Sequence, residues 1–198
     1  MKRTPIVDPG PEFWRGVDFP QVDDELEGLR PYVERLRAAY AGGDVIHRSF
    51  RFPQQADMRW QAELAFARDR AFFRHFWRVP SVRAALPYEL DESEFAETEL
   101  GPGHPFQWTS SVELPGQLAD ALRRGGAYTR DRPTAREAMA DGMAAAEALT
   151  QGDFDNTWVL NSRASWSRFF HAVAWDSTWI LVQPGRDRIV VLAATDTD

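Results

Sequence analysis

The segment FFHAVAWDSTWILV, residues Phe169–Val182, places four polar side chains along a run that is otherwise apolar or aromatic. Its last residues, Trp179–Val182, are apolar at every position, so a strand here would be apolar on both faces. Such strands lie inside a sheet that is covered on both sides, or on one side with a partner on the other. The run is longer than the usual strand of roughly 5–6 residues. It therefore predicts a central strand with a bend or bulge near Asp176 and Ser177.

A reversal and a second apolar run follow this segment. Residues 183–187, QPGRD, place Pro and Gly in adjacent positions, which permits the chain to turn back. Ile189–Ala194 is again apolar on both faces, so the two runs predict neighbouring strands. Further strands are predicted at Val45–Phe52 as an edge strand, at Phe95–Leu100, at Phe106–Leu114 and at Trp158–Leu160. Together they predict an antiparallel sheet of about five or six strands.

The longest helical pattern in the sequence covers Asp57–Arg78 and has a broad apolar side. Phe66 and Phe73 lie seven positions apart on that side, so both are expected in the core. The strands and this helix predict an α+β fold in which the sheet packs against a long helix, with further helices. Residues 1–22 are rich in proline and are expected to form an extended N-terminal arm, and residues 23–198 a single domain.

A second helix is marked by its N-terminal signal. Thr134 and Glu137 have the spacing of a capping box, in which each side chain accepts a backbone N–H of the other residue. The apolar positions that follow are Ala138, Met139, Met143, Ala146 and Leu149. Shorter helices are predicted within residues 23–41, 80–87 and 117–124.

Composition and charge exclude several classes of function. The chain has no cysteine, which excludes disulfides, thiolate metal sites and cysteine nucleophiles. The net charge of −7 disfavours nucleic acid as a partner, because phosphate binding needs concentrated positive charge. No segment has the roughly 20 apolar residues that a membrane-spanning helix needs, and the N-terminus lacks a signal-peptide pattern. The sequence therefore predicts a cytoplasmic protein without a membrane segment, and we expect no cofactor.

Two residues of the first segment are weak catalytic candidates. His171 and Asp176 fall on opposite faces of an ideal strand, so they could meet only through the predicted bend, near a serine hydroxyl. The alternative is that both are structural and bond backbone groups, with His171 largely buried. His75 is a third weak candidate, as a polar group in a pocket. The histidines lack metal-ligand spacing, so no metal site is predicted, and the acidic tail residues Asp196 and Asp198 are expected to be solvated.

Charged and aromatic residues supply the candidate contacts for a ligand or partner. Arg70, Arg74 and Arg78 follow one another at intervals of four and would form a basic stripe on the long helix. The stripe could bind an anionic partner, or it could pair within the chain with the acidic residues of segment 89–99. Trp108 and Trp175 are candidate contacts because eight Trp and thirteen Phe exceed the needs of a small core.

Two hypotheses about function follow. The first is a non-enzymatic module that binds a protein through aromatic residues and acidic surface charge, as immunity or regulatory proteins do; this comparison is an analogy of charge and class alone. The second is a small enzyme or ligand-binding domain whose aromatic-lined pocket lies between the long helix and the sheet. The sequence favours the first, since it contains no nucleophile motif and no phosphate-binding glycine loop. It identifies neither a partner nor an oligomeric state.

Overall fold

The computed structural model of the chain describes residues 16–23, 26–52, 71–86 and 106–197. These residues form one six-stranded antiparallel sheet and five helices, which confirms the predicted α+β class. The strands are β1 (Gln21–Val22), β2 (Asp44–Arg51), β3 (Gln107–Thr109), β4 (Trp158–Ser162), β5 (Ser177–Gln183) and β6 (Arg188–Thr195). The helices are α1 (Arg30–Ala39), α2 (Ala71–Phe76), α3 (Pro80–Ala85), α4 (Leu114–Arg124) and α5 (Ala135–Thr150). The order of strands across the sheet is β1-β2-β6-β5-β4-β3.

Strands β5 and β6 form the centre of the sheet, and every residue in both is buried. They pair along their whole length from Ser177 with Ala194 to Gln183 with Arg188, and a short 3₁₀ turn, Pro184–Arg186, joins them. The central position that the apolar runs predict is therefore confirmed. A strand with apolar residues on both faces requires a packed layer on each side of the sheet.

The first half of the quoted segment does not form a strand, so the prediction of a strand from Phe169 is wrong. Residues 169–176 make a series of turns, and β5 begins only at Ser177. Two local features explain this. Ala172 has a positive φ of 59°, and the carboxylate of Asp176 accepts the backbone N–H of Val173 at 3.1 Å. A side-chain acceptor of this kind offers the backbone an alternative to the hydrogen bonds of a sheet.

One face of the sheet is covered by α1, α4 and α5. The buried residues of this layer include Leu36, Leu118 and Leu149, which pack with Trp179 and Leu192 of the central strands. Tyr32 and Tyr40 also lie in this layer and donate their hydroxyls to the α4 carbonyls of Leu118 and Ala121.

The opposite face is covered by α2, α3 and flanking loops, and its core is mainly aromatic. The Phe76 ring lies 5.1 Å from Phe19 and 4.9 Å from Trp77, both measured between ring centroids. Trp77 lies 4.8 Å from Trp166, which in turn lies 5.4 Å from Phe170. Much of the aromatic excess of the sequence is therefore core. Phe73 is 3% exposed, which confirms its predicted burial, whereas Phe66 lies outside the described residues.

Of the predicted helix Asp57–Arg78, the described part is helical only as far as Phe76, two residues short of the expected end.

Proline and the capping box set the boundaries of other helices. Helix α1 begins at Arg30, with a proline in its first turn where the missing N–H costs nothing. The capping box of α5 is confirmed: Glu137 N–H donates to Thr134 Oγ1 at 3.3 Å, and Thr134 N–H to Glu137 Oε2 at 2.8 Å. The Thr134 backbone N–H and hydroxyl both donate to the Glu137 carboxylate, and these two bonds lower the pKa of Glu137.

The predicted strand Phe106–Leu114 is shorter than its alternating pattern indicates. Strand β3 ends at Thr109, a 3₁₀ turn follows, and α4 begins at Leu114 because Pro115 favours the first turn of a helix. Its expected hairpin partner, Phe95–Leu100, lies outside the described residues.

Residues 16–22 are the described part of the predicted N-terminal arm. Phe19 is fully buried in the aromatic core, and β1 pairs with β2. The boundary between an arm and a domain at residue 22 stays a prediction. No helix in the described ranges is both long enough and apolar enough to cross a membrane.

Candidate functional site

The predicted catalytic candidate Asp176 lies directly before β5 and contacts Thr195, the last residue of β6. This residue is fully buried, and both of its carboxylate oxygens accept hydrogen bonds. Oδ1 accepts the Thr195 hydroxyl at 2.6 Å, and Oδ2 accepts the Val173 N–H at 3.1 Å. Acceptance of a backbone donor at the bend is as the sequence predicts. The carboxylate holds the turn before β5 against the end of β6.

His171 does not join this arrangement through its side chain. The residue is exposed, so the prediction that it is largely buried is wrong. Its backbone N–H lies 3.4 Å from Thr195 Oγ1, while its ring makes no hydrogen bond to any residue that the structure describes. Ser177, which directly follows Asp176 in sequence, is buried, and its Oγ has no hydrogen-bond partner within the described ranges. A nucleophile, base and acid in mutual hydrogen-bond contact are not observed here.

Asp196 is a structural residue that the sequence reasoning missed. The prediction that its side chain is solvated is wrong, because Asp196 is fully buried. Its Oδ1 accepts Gly42 N–H at 2.9 Å, and its Oδ2 accepts Ala127 N–H at 2.8 Å. A Cβ at position 126 would clash with this carboxylate, so Gly126 is required for the close approach. One carboxylate therefore joins the loop after α1 to the loop after α4.

The structure describes only some of the remaining predicted site residues. Arg78 is exposed, whereas Arg70, the side chain of Arg74 and the acidic segment 89–99 lie outside the described residues. His75 is half-buried. The basic stripe and its pairing therefore stay predictions. In the described ranges, no group of three or more His, Asp or Glu side chains could hold a metal ion.

The two tryptophan candidates lie in different environments. Trp108 belongs to β3 at one edge of the sheet and is 42% exposed. Trp175 is half-buried against the core layer that contains α1, α4 and α5. Trp108 is the more exposed of the two, and both stay predicted contact residues.

The outer face of α5 carries two methionines of the apolar helix pattern. Met139 and Met143 are 48% and 44% exposed. The cause lies at Gly142, where a Cβ would clash with the carbonyl oxygen of Pro115 in α4. Close approach at this glycine turns the alanine-rich side of α5 inward. The buried residues of that side are Ala138, Gly142, Ala145, Ala146, Leu149 and Thr150.

The α5 outer face has an apolar centre. Met139, Ala140, Met143 and Ala144 are all exposed and lie on consecutive turns, at positions i, i+1, i+4 and i+5. We call these four residues the methionine face. A helix surface that only meets water usually carries charged residues at such positions.

A cleft of ≈570 Å³ lies between α1, α4 and the loop that precedes α5. Its lining includes Arg35, Tyr128, Arg130 and Arg132. Arg35 lies about a hundred positions before Arg130 and Arg132 in sequence, so no local pattern joins the two parts of the lining. Within the loop, Arg130 and Arg132 alternate with Asp131. This local pattern does not by itself predict a cleft.

No protein-family model matches this chain, and no curated protein matches its sequence.

Proposed function

We propose that the chain is a non-enzymatic protein-binding module, and that a partner protein docks on the methionine face of α5. The observation that carries this proposal is the exposure of Met139 and Met143 beside Ala140 and Ala144 on one helix face. Methionine is flexible and polarisable, and it is frequent on surfaces that accept protein partners. An amphipathic helix whose apolar face is open to solvent is a common element of protein recognition.

Charge favours a basic partner. The chain has a net charge of −7, and complementary charge raises the rate and specificity of association. Arg136 and Glu147 flank the methionine face on the same helix, so the apolar centre has a polar border. This combination of apolar centre and polar rim is typical of protein interfaces. A cytoplasmic location belongs to the same proposal, and Trp108 is a second candidate contact.

The alternative, an enzyme or ligand-binding domain with an aromatic-lined pocket next to the sheet, is less favoured. The described part of that layer is filled by rings in direct contact, such as Trp77 and Trp166, whose ring centroids lie 4.8 Å apart. Asp176, the buried carboxylate nearest to a catalytic arrangement, is occupied by Thr195 and Val173. Both observations reduce the space and the reactive groups that such a site would need.

The experiment is an affinity capture from the native cell with immobilised wild-type protein and the double variant Met139→Glu/Met143→Glu. We expect a partner retained by the wild type and lost by the double variant, because two new carboxylates would make the interface centre polar. Val112→Glu is the matched control, since Val112 is an exposed apolar residue outside α5, at 73% exposure. It should retain the partner.

Two measurements make the outcome decisive. Melting temperatures should be similar for all three proteins, because both methionines are exposed. The purified partner should then bind the wild type with measurable affinity and bind the double variant at least about tenfold more weakly, which corresponds to about 1.4 kcal/mol. Equal affinity for the two would exclude the methionine face as the docking surface.

A further inference from the structure

The cleft beside α1 has a charge opposite to that of the whole chain. Its lining includes three arginines, Arg35, Arg130 and Arg132, and one carboxylate, Asp131. The net charge of the chain is −7. A local excess of guanidinium groups in a concave site concentrates positive potential where a ligand would lie.

Two of these arginines have no partner in the described part of the chain. Arg35 pairs with Asp141 of α5. Arg130 and Arg132 make neither a hydrogen bond nor an ion pair with any described residue. Their guanidinium donors are therefore available to a ligand. Arginine presents a planar set of donors that matches the geometry of carboxylate and phosphate groups.

The loop that carries these residues is fixed at its base. Thr129 Oγ1 donates to the carbonyl of Ala39 at 2.6 Å and accepts Gly126 N–H at 2.7 Å. Gly126 N–H also reaches the Ala39 carbonyl at 3.1 Å, and Asp196 holds Ala127. These bonds attach the start of the loop to the end of α1. The cleft is therefore formed before a ligand arrives, which reduces the entropy lost on binding.

Size and lining agree with a small ligand. The volume of ≈570 Å³ lies in the usual range of ligand sites, roughly 300–1,000 Å³. Leu122, Ala38 and Ala39 supply an apolar part of the lining, and Tyr128 adds an aromatic ring that is 62% exposed. A ligand with a small apolar body and anionic groups would complement both parts.

We infer that this cleft binds a small molecule that carries oxyanion groups, with Arg130 and Arg132 holding its carboxylate or phosphate oxygens. The inference is independent of the proposed protein-binding function, because it rests on other residues. Carboxylate and phosphate share the chemistry that arginine recognises, and the two sources are separated by the choice of probe.

The experiment is isothermal titration calorimetry at low ionic strength with citrate and with pyrophosphate as separate probes. We expect one or both to bind the wild type. The double variant Arg130→Gln/Arg132→Gln should bind at least about tenfold more weakly, since charge-assisted hydrogen bonds are the strong ones. Binding of citrate alone would identify a carboxylate ligand, and binding of pyrophosphate alone a phosphate ligand.

The matched control is Arg51→Gln/Arg186→Gln, which removes two exposed arginines that do not line the cleft. It lowers the total charge by the same amount and should keep the wild-type affinity within about twofold, because exposed charges far from a site are screened. Equal weakening in the two double variants would show a bulk-charge effect and overturn the inference. Absence of binding by the wild type to both probes would also overturn it.

Discussion

The hydroxyl of Thr195 donates a 2.6 Å hydrogen bond to Oδ1 of Asp176, whereas the next residue, Asp196, accepts only backbone N–H groups. Both carboxylates are fully buried, and each accepts two hydrogen bonds from other residues. Their partners differ in one property. A hydroxyl can rotate and act as donor or acceptor, but a backbone N–H can only donate.

This difference predicts that an Asp→Asn substitution changes the free energy of unfolding at one position and not at the other. In Asp176→Asn, the amide oxygen can accept Val173 N–H, and the amide nitrogen can donate to a reoriented Thr195 hydroxyl, so we expect nearly wild-type stability. In Asp196→Asn, one of the two N–H groups, Gly42 or Ala127, must face an NH₂ group. A buried donor left unsatisfied costs about 1–3 kcal/mol, and Asp196→Asn should lose that amount.

Urea denaturation of both variants measures the difference directly. Asp176→Leu is the control for burial at the first site: it removes both acceptors, and it should be destabilised by about 1–3 kcal/mol although Asp176→Asn is not. If Asp176→Asn and Asp196→Asn had equal free energies of unfolding, the argument from the rotating hydroxyl would be wrong.

The sequence predicts the centre of the fold because burial on both faces leaves a direct mark on composition. Trp179–Val182 and Ile189–Ala194 lack polar residues, and both are buried in the sheet. The α5 capping box is likewise local, since its two residues are three positions apart. Features of this kind need no knowledge of the rest of the chain.

Orientation and long-range contacts are harder to predict. Met139 and Met143 fit an apolar helix pattern, but in an alanine-rich helix nearly every side is apolar, and only the contact of Gly142 with α4 decides which side faces inward. The cleft combines Arg35 with Arg130, and Asp196 bonds Gly42, so these sites exist only after the chain has folded. Periodicity carries no information about such pairs.

Two buried tyrosines predict a loss of stability at alkaline pH. Burial raises the pKa of Tyr40 to about 12 and that of Tyr32 well above its ordinary value. In the unfolded chain both would ionise near pH 10. A group whose pKa is raised by folding contributes stability below its unfolded pKa, and this contribution is lost as the pH rises through the folded pKa. For Tyr40 the melting temperature should therefore fall between about pH 10 and pH 12.

The double variant Tyr32→Phe/Tyr40→Phe tests the cause. It should melt at a slightly lower temperature than the wild type at neutral pH, because two hydroxyl donations to α4 carbonyls are lost. Its melting temperature should then fall less steeply above pH 10, since neither position can ionise. Calorimetric scans across this range give both values. An equally steep alkaline fall in the double variant would assign the transition to other groups.

The outer edge of β2 is protected by arginine side chains. Within the described residues, β1 pairs with only Ser49 and Phe50 of β2. Beyond these, Arg37 donates to the carbonyl of Val45 at 3.0 Å, and Arg48 donates to its neighbour's carbonyl, that of His47, at 2.7 Å. The two carbonyls are two positions apart, so they point to the same side of the strand. A free strand edge is a template for pairing with another chain, and charged side chains prevent this.

Removal of these guanidinium groups should therefore promote self-association. In Arg37→Ala/Arg48→Ala, the carbonyls of Val45 and His47 become available to a strand of a second molecule, so we expect a concentration-dependent shift to larger species in sedimentation velocity. Arg35→Ala is the control, because Arg35 lies on the same helix as Arg37 but pairs with Asp141 and not with β2. It should sediment as the wild type does at every concentration.

Arg48 also donates to the carbonyl of Ala85 at 2.7 Å, so the single variant Arg37→Ala separates edge exposure from lost packing. A double variant that sediments like the wild type would mean that these arginines do not protect the edge.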